Sequence, residues 1–351
     1  MPLSKIQTIG NQVVPNLGRR NILINGAMQV AQRGTSIAMA HDGNTSNYIL
    51  DRWRISLGGT HEQLDGTFAQ VADNPLGGNG KALKWTTGTP ESSLDSDEYV
   101  YITQIVEAQN LHHIQNGNSN AKKLTLSFWV KSSITGTYAV GLYKGDNTGR
   151  MRNLTYAISS ANTWEKKSVT FEGDTAGGGI NNDNGQGMYV AWHLSAGSVV
   201  LGGGSDSAWV NYATNTWANG HAQNGVVTTA GATWLMTECQ LEVGDSASDF
   251  EHRSFGEELD LCQRYFVNCG KWFVQGYGYS TGSDGSGSPL MFPTTMRAAP
   301  TITQANGNDG GSSSSMNFNY ITTTGCSPES RNTGSGQSVW YHADITLSAE
   351  I

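Results

Sequence analysis

The sequence predicts an all-β protein: a β-sandwich, a short connecting α-helix and a small C-terminal β domain. Three observations predict that class. Charged residues make up 14% of the chain, against about 25% in ordinary globular proteins. Glycine is heavily over-represented, with 44 residues in 351, and Ser, Thr and Asn are abundant. Such residues disfavour long helices, because Gly loses most backbone entropy and Ser, Thr and Asn compete for backbone hydrogen bonds. Finally, several stretches alternate apolar and polar residues between turn-forming clusters, the period of half-buried strands.

Residues 1–20 hold only scattered apolar side chains (Leu3, Ile6, Ile9, Val13, Val14, Leu17) and two prolines. They are expected to form an extended arm that attaches to another protein. Residues 21–253 carry the sandwich. Asn21–Val30 is strand-like, and Asp51-Arg52-Trp53-Arg54-Ile55-Ser56 follows a polar loop. Leu124, Leu126, Phe128 and Val130 alternate with Thr125, Ser127, Trp129 and Lys131. Tyr138–Tyr143 is expected to be the hairpin partner of that strand, across a turn near Gly136. Trp164–Phe171, Gly187–Leu194 and Trp234–Glu242 complete the set. Gly173–Gly187, Ala196–Asp206 and Asn211–Asn224 are loop-like, and loops this long are expected to be contact surfaces. A connector helix is expected over residues 254–268. Ser254 and Glu257 form a capping-box pattern, Phe255, Leu259, Cys262 and Phe266 recur at helical spacing, and Gly270 is a stop signal. Residues 269–351 read as a second β unit, with strands over Lys271–Tyr279 and Ser338–Leu347 around Gly/Ser-rich segments. A unit this small buries little surface alone, so a homotrimer or another homo-oligomer is expected.

Several function classes drop out. The net charge is -8 and no Lys/Arg block exists, so nucleic acid is not an expected partner. The four cysteines form no C-x-x-C pair and read as buried free thiols of a chain made in a reducing cytoplasm. The N-terminal residues lack a signal-peptide pattern, and no run approaches the length of a membrane span. No metalloprotease, hydrolase-elbow or phosphate-loop motif occurs. His112-His113 reads as surface histidine. Glu91, Asp95, Asp97 and Glu98 form the one notable acidic cluster. Its plain reading is a solvated loop, and its functional reading is a calcium site. A glycosidase needs two facing carboxylates, and none is recognisable, so the chain is not expected to be an enzyme. Arg33, Asp51 and Trp53 are expected to form a structural polar cluster, with the Trp in the core and the Asp paired to backbone or to Arg33. Ten tryptophans are many for this length. Aromatic rings stack on sugar C–H faces, and Trp209, Trp217, Trp272, Tyr277, Tyr279 and Trp340 are the glycan-binding candidates, with Trp209 and Trp217 foremost because they lie in loop-like sequence.

The run Asn21-Ile-Leu-Ile-Asn-Gly-Ala-Met-Gln-Val-Ala-Gln-Arg-Gly-Thr-Ser36 with Asp51-Arg52-Trp53 resembles tail-fibre-type proteins of bacteriophages. So do Gln240-Leu-Glu-Val-Gly244, Phe250–Leu259, Cys262-Gln-Arg-Tyr265 and Met291–Thr301, in the same order along the chain. Asn21-Ile-Leu-Ile-Asn-Gly26, Leu124–Ser132, the Trp164 segment and the strand around Glu238 are similar to jelly-roll carbohydrate-binding modules. This second resemblance implies a jelly roll whose first and last strands are neighbours. It also implies a possible structural calcium, with Glu238 where such modules usually offer an Asp; no other cofactor is expected. Together the two resemblances imply a fibre component of the virion tail that contacts other virion proteins through its N-terminal arm and host surface polysaccharide through its aromatics. A head fibre or capsid decoration protein is the alternative, and a polysaccharide depolymerase a lesser one.

Overall fold

A computed structural model describes residues 19–40, 45–59, 61, 63–201, 208–277, 285–311, 313–332 and 338–351. The side chains of residues 276–287, 309–315 and 331–339 fall outside that description. So do Tyr279 and nearly all of the arm expected over residues 1–20.

The fold is all-β, as the sequence predicts. In chain order the strands are β1 (Ser36–Ala40), β2 (Thr45–Tyr48), β3 (Arg54–Gly58), β4 (Asp65–Val71), β5 (Ala82–Thr87) and β6 (Tyr99–Glu107). Then come β7 (Leu124–Ser132), β8 (Gly136–Lys144), β9 (Arg150–Ile158), β10 (Glu165–Phe171), β11 (Gln186–Ala196), β12 (Val210–Asn211) and β13 (Thr233–Val243). The C-terminal region adds β14 (Phe266–Tyr277), β15 (Gly285–Gly287), β16 (Leu290–Met291), β17 (Thr301–Gly311), β18 (Ser313–Asn319), β19 (Gly325–Asn332) and β20 (Ser338–Ser348). The α-helices are short: α1 (Ser198–Leu201), α2 (Gly225–Thr228) and α3 (Phe255–Gln263).

Two antiparallel sheets make the jelly roll. One has the order β1-β4-β5-β13-β7-β10, the other β12-β9-β8-β11-β6-β3-β2. Between them Trp53, Trp85, Trp192 and Trp234 are fully buried with Phe68, Phe128 and Phe171. Trp192 packs at 5.6 Å from both Trp53, tilted, and Phe128, the latter in the edge-to-face geometry that aromatic quadrupoles favour. A second core lies in the C-terminal unit, around Val274, Leu290, Met296, Met316, Ala343, Ile345 and Leu347.

Four local expectations are corrected. Asn21–Val30 is not a strand. Asn25 and Met28 take left-handed backbone angles, and the Asn25 side chain ties the turn together, donating to the Val30 and Asp51 carbonyls and accepting from the Val30 N–H. An Asn-Gly pair supplies such a turn at low steric cost. The segment nonetheless lies against β13 as expected: Ile22 N–H donates to the Leu241 carbonyl at 2.8 Å and Cys239 N–H to the Gly26 carbonyl at 3.0 Å. A Cβ on Gly26 would stand 2.2 Å from the Cys239 carbonyl oxygen, so only glycine permits that approach.

The β7–β8 hairpin does not form. The two strands belong to opposite sheets, and β8 pairs with β9 and β11. Alternation reports which face of a strand is buried but not its partner, and both strands bury one face in the same interior from opposite sides. The helix is shorter than expected. Ser254 and Glu257 form the capping box, but Phe255 is exposed and Phe266 opens β14, opposite Ser348. The long antiparallel pairing with β20 captures Phe266, which the helical spacing had claimed. Gly270 sits at a bulge in that strand at φ +63°. Finally, Asp51-Arg52-Trp53 is a turn before β3, with Arg52 at φ +72°, so strand alternation does not govern its side chains.

That turn joins the two units. Asp51 is fully buried, accepts from Gln32 N–H and Nε2 at 2.7 Å each and stands 3.6 Å from Arg33, the pairing expected of it. Trp53 is in the core and donates to the Asn25 carbonyl at 2.9 Å. Arg33 also pairs with Glu350 at 2.9 Å and lies 3.7 Å over the Phe266 ring. Arg52, almost wholly buried, pairs with the same Glu350, donates to the Ile105 carbonyl and stacks 3.4 Å over Tyr265. Two arginines of the jelly roll thus converge on one carboxylate of the C-terminal unit.

Candidate functional site: an aromatic cleft on the seven-stranded sheet

In β6, β8 and β11 one face carries Val100, Ile102, Val140, Leu142, Val190 and Trp192 into the core. Strand alternation therefore turns Tyr99, Tyr101, Tyr143 and Tyr189 to the other face. Tyr143 and Tyr189 stand directly opposite each other in register, with ring centroids 5.4 Å apart. Tyr99 and Tyr101 stack at 5.5 Å.

The loop after β12 covers part of this face and delivers Trp217. Its ring makes edge contacts with Tyr101 at 5.3 Å, Tyr143 at 5.7 Å and Tyr212 at 6.0 Å. Together with Val200 and Thr214, these rings line a cleft of about 260 Å³. Trp217 is half-buried, and Tyr212 at its rim is 44% exposed. Burial raises the hydroxyl pKa of Tyr99, Tyr143 and Tyr189 above the ordinary tyrosine value. They remain neutral phenols that can donate and accept. Tyr189 already donates to Gln186 Oε1 at 2.7 Å. The Arg54 guanidinium lies 5.8 Å over the Tyr189 ring.

Beneath Trp217 lies His193, fully buried, with neither ring nitrogen hydrogen-bonded. Burial, reinforced by His221, pushes its pKa down to about 3. His221 is held at about 4, chiefly by burial. Both imidazoles are neutral, so they add no positive charge behind Trp217, and Arg54 is the cation beside the cleft. Flat apolar faces bordered by neutral hydroxyls suit a polyhydroxylated ring, which stacks through its C–H faces and hydrogen-bonds at its edges.

Of the four sequence candidates whose side chains are described, only Trp217 reaches this cleft. Trp209 packs against the jelly-roll core and donates to the Glu172 carbonyl at 2.6 Å. Trp272 packs on the C-terminal core. Trp340 lies in a separate outward ladder between Phe273, at 6.1 Å, and His342, at 5.7 Å. Tyr277 belongs to β14, but its side chain is outside the described residues, as is the whole of Tyr279. The five tyrosines were not singled out by sequence. The signal was present in the Tyr99–Tyr101 alternation and in Tyr143 and Tyr189, one per core-alternating strand.

Glu238 stands at the β13 bulge with φ +49°. It lines a cavity of about 350 Å³ with His252, Arg253 and Glu258, and burial raises its pKa. Among the described residues it belongs to no group of three candidate metal ligands. The acidic cluster is not uniformly solvated: Asp95 and Asp97 are exposed, whereas Glu91 and Glu98 are buried.

No protein-family model and no curated protein sequence matches the chain. Among solved structures, it is similar to the enzymatically active domain of tailspike protein 4 from bacteriophage CBA120, at 11% identity and a TM-score of 0.32. That match covers 64% of this chain and 21% of the tailspike chain. A family 61 carbohydrate-binding module in complex with β-1,4-galactotriose matches at 12% identity and a TM-score of 0.28, over 64% of this chain and 100% of the module. A family 22 xylan-binding domain from Paenibacillus barcinonensis matches at 9% identity and a TM-score of 0.29, over 65% of this chain and 96% of the domain. The jelly-roll assignment stands on the strand order of the two sheets, not on these scores.

Proposed function

We propose that this chain is a structural and adhesive component of a bacteriophage virion that binds host surface polysaccharide in the Tyr–Trp217 cleft without hydrolysing it. The observation that carries the binding half is the cleft itself: six aromatic rings from three strands and one loop. Exposed aromatic surface of this kind is unfavourable in water unless it serves a contact. The virion half rests on the sequence resemblance that spans residues 21–301. Within that reading the chain assembles as a homotrimer or another homo-oligomer, residues 1–20 dock to neighbouring virion proteins, no nucleic acid is bound and no membrane is inserted into.

The test is binding of purified protein to polysaccharide from the surface of a host strain, followed by tryptophan fluorescence and calorimetry. Trp217→Ala and Tyr212→Ala should each weaken binding at least tenfold, about 1.4 kcal/mol, with circular dichroism unchanged. Undiminished binding by both variants excludes the cleft. Release of reducing ends by the wild-type protein contradicts the non-hydrolytic assignment.

A further inference from the structure

We propose that His61, Glu91 and Glu98 form a buried binding site for a first-row divalent transition metal of the zinc class, at the end of the jelly roll beside Tyr99. The three side chains come from separate places: the segment after β3, the loop after β5 and the residue before β6. Each is at most 5% exposed. Their candidate ligand atoms lie within 4.8 Å of one another, and His61 Nδ1 stands 3.6 Å from both Glu91 Oε2 and Glu98 Oε1.

The hydrogen bonds around the three residues leave the inner atoms unused. His61 Nε2 faces the Tyr99 carbonyl at 3.4 Å; a carbonyl can only accept, so a neutral ring paired with it carries its proton on Nε2. That tautomer turns the Nδ1 lone pair toward the two carboxylates. Glu98 Oε2 accepts the Asp95 N–H at 2.8 Å, while Glu98 Oε1 and His61 Nδ1 are buried with no hydrogen-bond partner among the described residues. Among the described residues, Glu91 Oε2 accepts a long contact from Gln63 N–H at 3.5 Å. Three acceptors converging in a water-excluded spot repel one another unless a cation sits among them.

The geometry fits a small cation. Ligands about 2.1 Å from a tetrahedral zinc stand roughly 3.4 Å apart, close to the observed 3.6 Å separations. One imidazole nitrogen with two carboxylate oxygens favours zinc, manganese or iron over calcium, which takes six to eight oxygens. The Nε2–H to carbonyl bond is the outer contact that ordinarily orients a metal-bound histidine. The loop is braced on both sides. A Cβ on Gly59 would lie 2.6 Å from the Asp97 carbonyl oxygen, and one on Gly197 would lie 2.1 Å from the Asp95 carbonyl oxygen. Gly197 N–H donates to the Glu98 carbonyl at 2.7 Å. The competing arrangement is a protonated His61 held between two glutamates with no metal.

The test treats the full chain with chelator, then titrates Zn²⁺, with Co²⁺ as a spectroscopic probe and Ca²⁺ as a control. Expected are uptake of one equivalent of Zn²⁺ per chain, a rise in melting temperature that saturates at that ratio, and visible Co²⁺ bands of low-coordinate geometry. Ca²⁺ should not displace the Zn²⁺. Glu98→Gln and Glu91→Gln, which keep shape, should weaken Zn²⁺ binding at least tenfold. The Co²⁺ spectrum of the wild-type chain needs no variant and stands if either variant misfolds. Absence of stoichiometric uptake, featureless Co²⁺ spectra, or Zn²⁺ binding untouched by both substitutions overturns the proposal. None of these readouts depends on what the aromatic cleft binds.

Discussion

Glu350→Gln is the most informative substitution outside the cleft. Glu350 is the shared partner of Arg33 and Arg52. Arg52 has almost no exposure, so it cannot recover water when the carboxylate charge is removed. Breaking one partner of a buried ion pair costs about 3–5 kcal/mol. Two features favour the lower end: glutamine retains one acceptor oxygen, and Arg52 keeps the Ile105 carbonyl and the Tyr265 ring. A loss of about 3 kcal/mol is therefore expected. Unfolding entropy near 2.1 cal/mol/K per residue gives about 0.7 kcal/mol/K for 351 residues, so the melting temperature should fall by about 4 °C. Because the contact joins two cores, limited proteolysis should also begin near residues 264–268. Replacing both charges with apolar groups, Arg52→Met with Glu350→Leu, should restore much of the loss, since the desolvation penalty vanishes with the pair. Differential scanning calorimetry reads all three proteins. A melting temperature for Glu350→Gln within 1 °C of wild type, with unchanged proteolysis, refutes the assigned role.

Two further outcomes follow from buried titratable groups. His193 is fully buried and held at about 3, whereas unfolded histidine titrates near 6.5. The unfolded chain thus binds a proton that the native chain refuses, so stability is full above pH 6.5 and falls as pH drops toward 3. At pH 5 His193 alone should cost about 2 kcal/mol; a urea midpoint unchanged between pH 7.5 and 5.0 contradicts this. The thiols of Cys239 and Cys262 are raised well above the usual value by burial. Neither should react with an aromatic disulfide reagent at pH 8 until denaturant is added, and peptide mapping that finds either labelled in the native protein goes against the burial.

Much of the architecture was legible because it depends on alternation. Leu124, Leu126, Phe128 and Val130 declare a buried face, and they form that face of β7. The pairing of Arg33 with Asp51 was legible because a buried charge requires a partner. Strand partnership was not, because β7 and β8 present the same pattern whether they pair or face each other across the core. Arg52 and Glu350 were not legible either, since nothing local marks two residues so far apart as neighbours. In the cleft, Trp217 stood out by its loop-like surroundings. The tyrosines on the strands looked like ordinary half-buried sheet residues, and only the sheet order β8-β11-β6 sets Tyr143 opposite Tyr189 and brings Tyr101 onto the same face.

The position of β13 has a kinetic consequence. It is the last jelly-roll strand in sequence but sits in the interior of its sheet, between β5 and β7, where Trp234 pairs across from Trp85 on one side and Ser132 on the other. Until it arrives, β1-β4-β5 and β7-β10 are two fragments with unpaired inner edges, and Trp85 has no cover on that flank. Closing so long a loop must be done before any of the pairing is gained, which places refolding with the slow, non-local β topologies of milliseconds to seconds. During that interval the two open edges are templates for strands of other chains. Prompt insertion of this one strand closes both edges, and the polar Thr237, Glu238 and Gln240 at its bulge keep it from being a uniformly sticky segment while it waits.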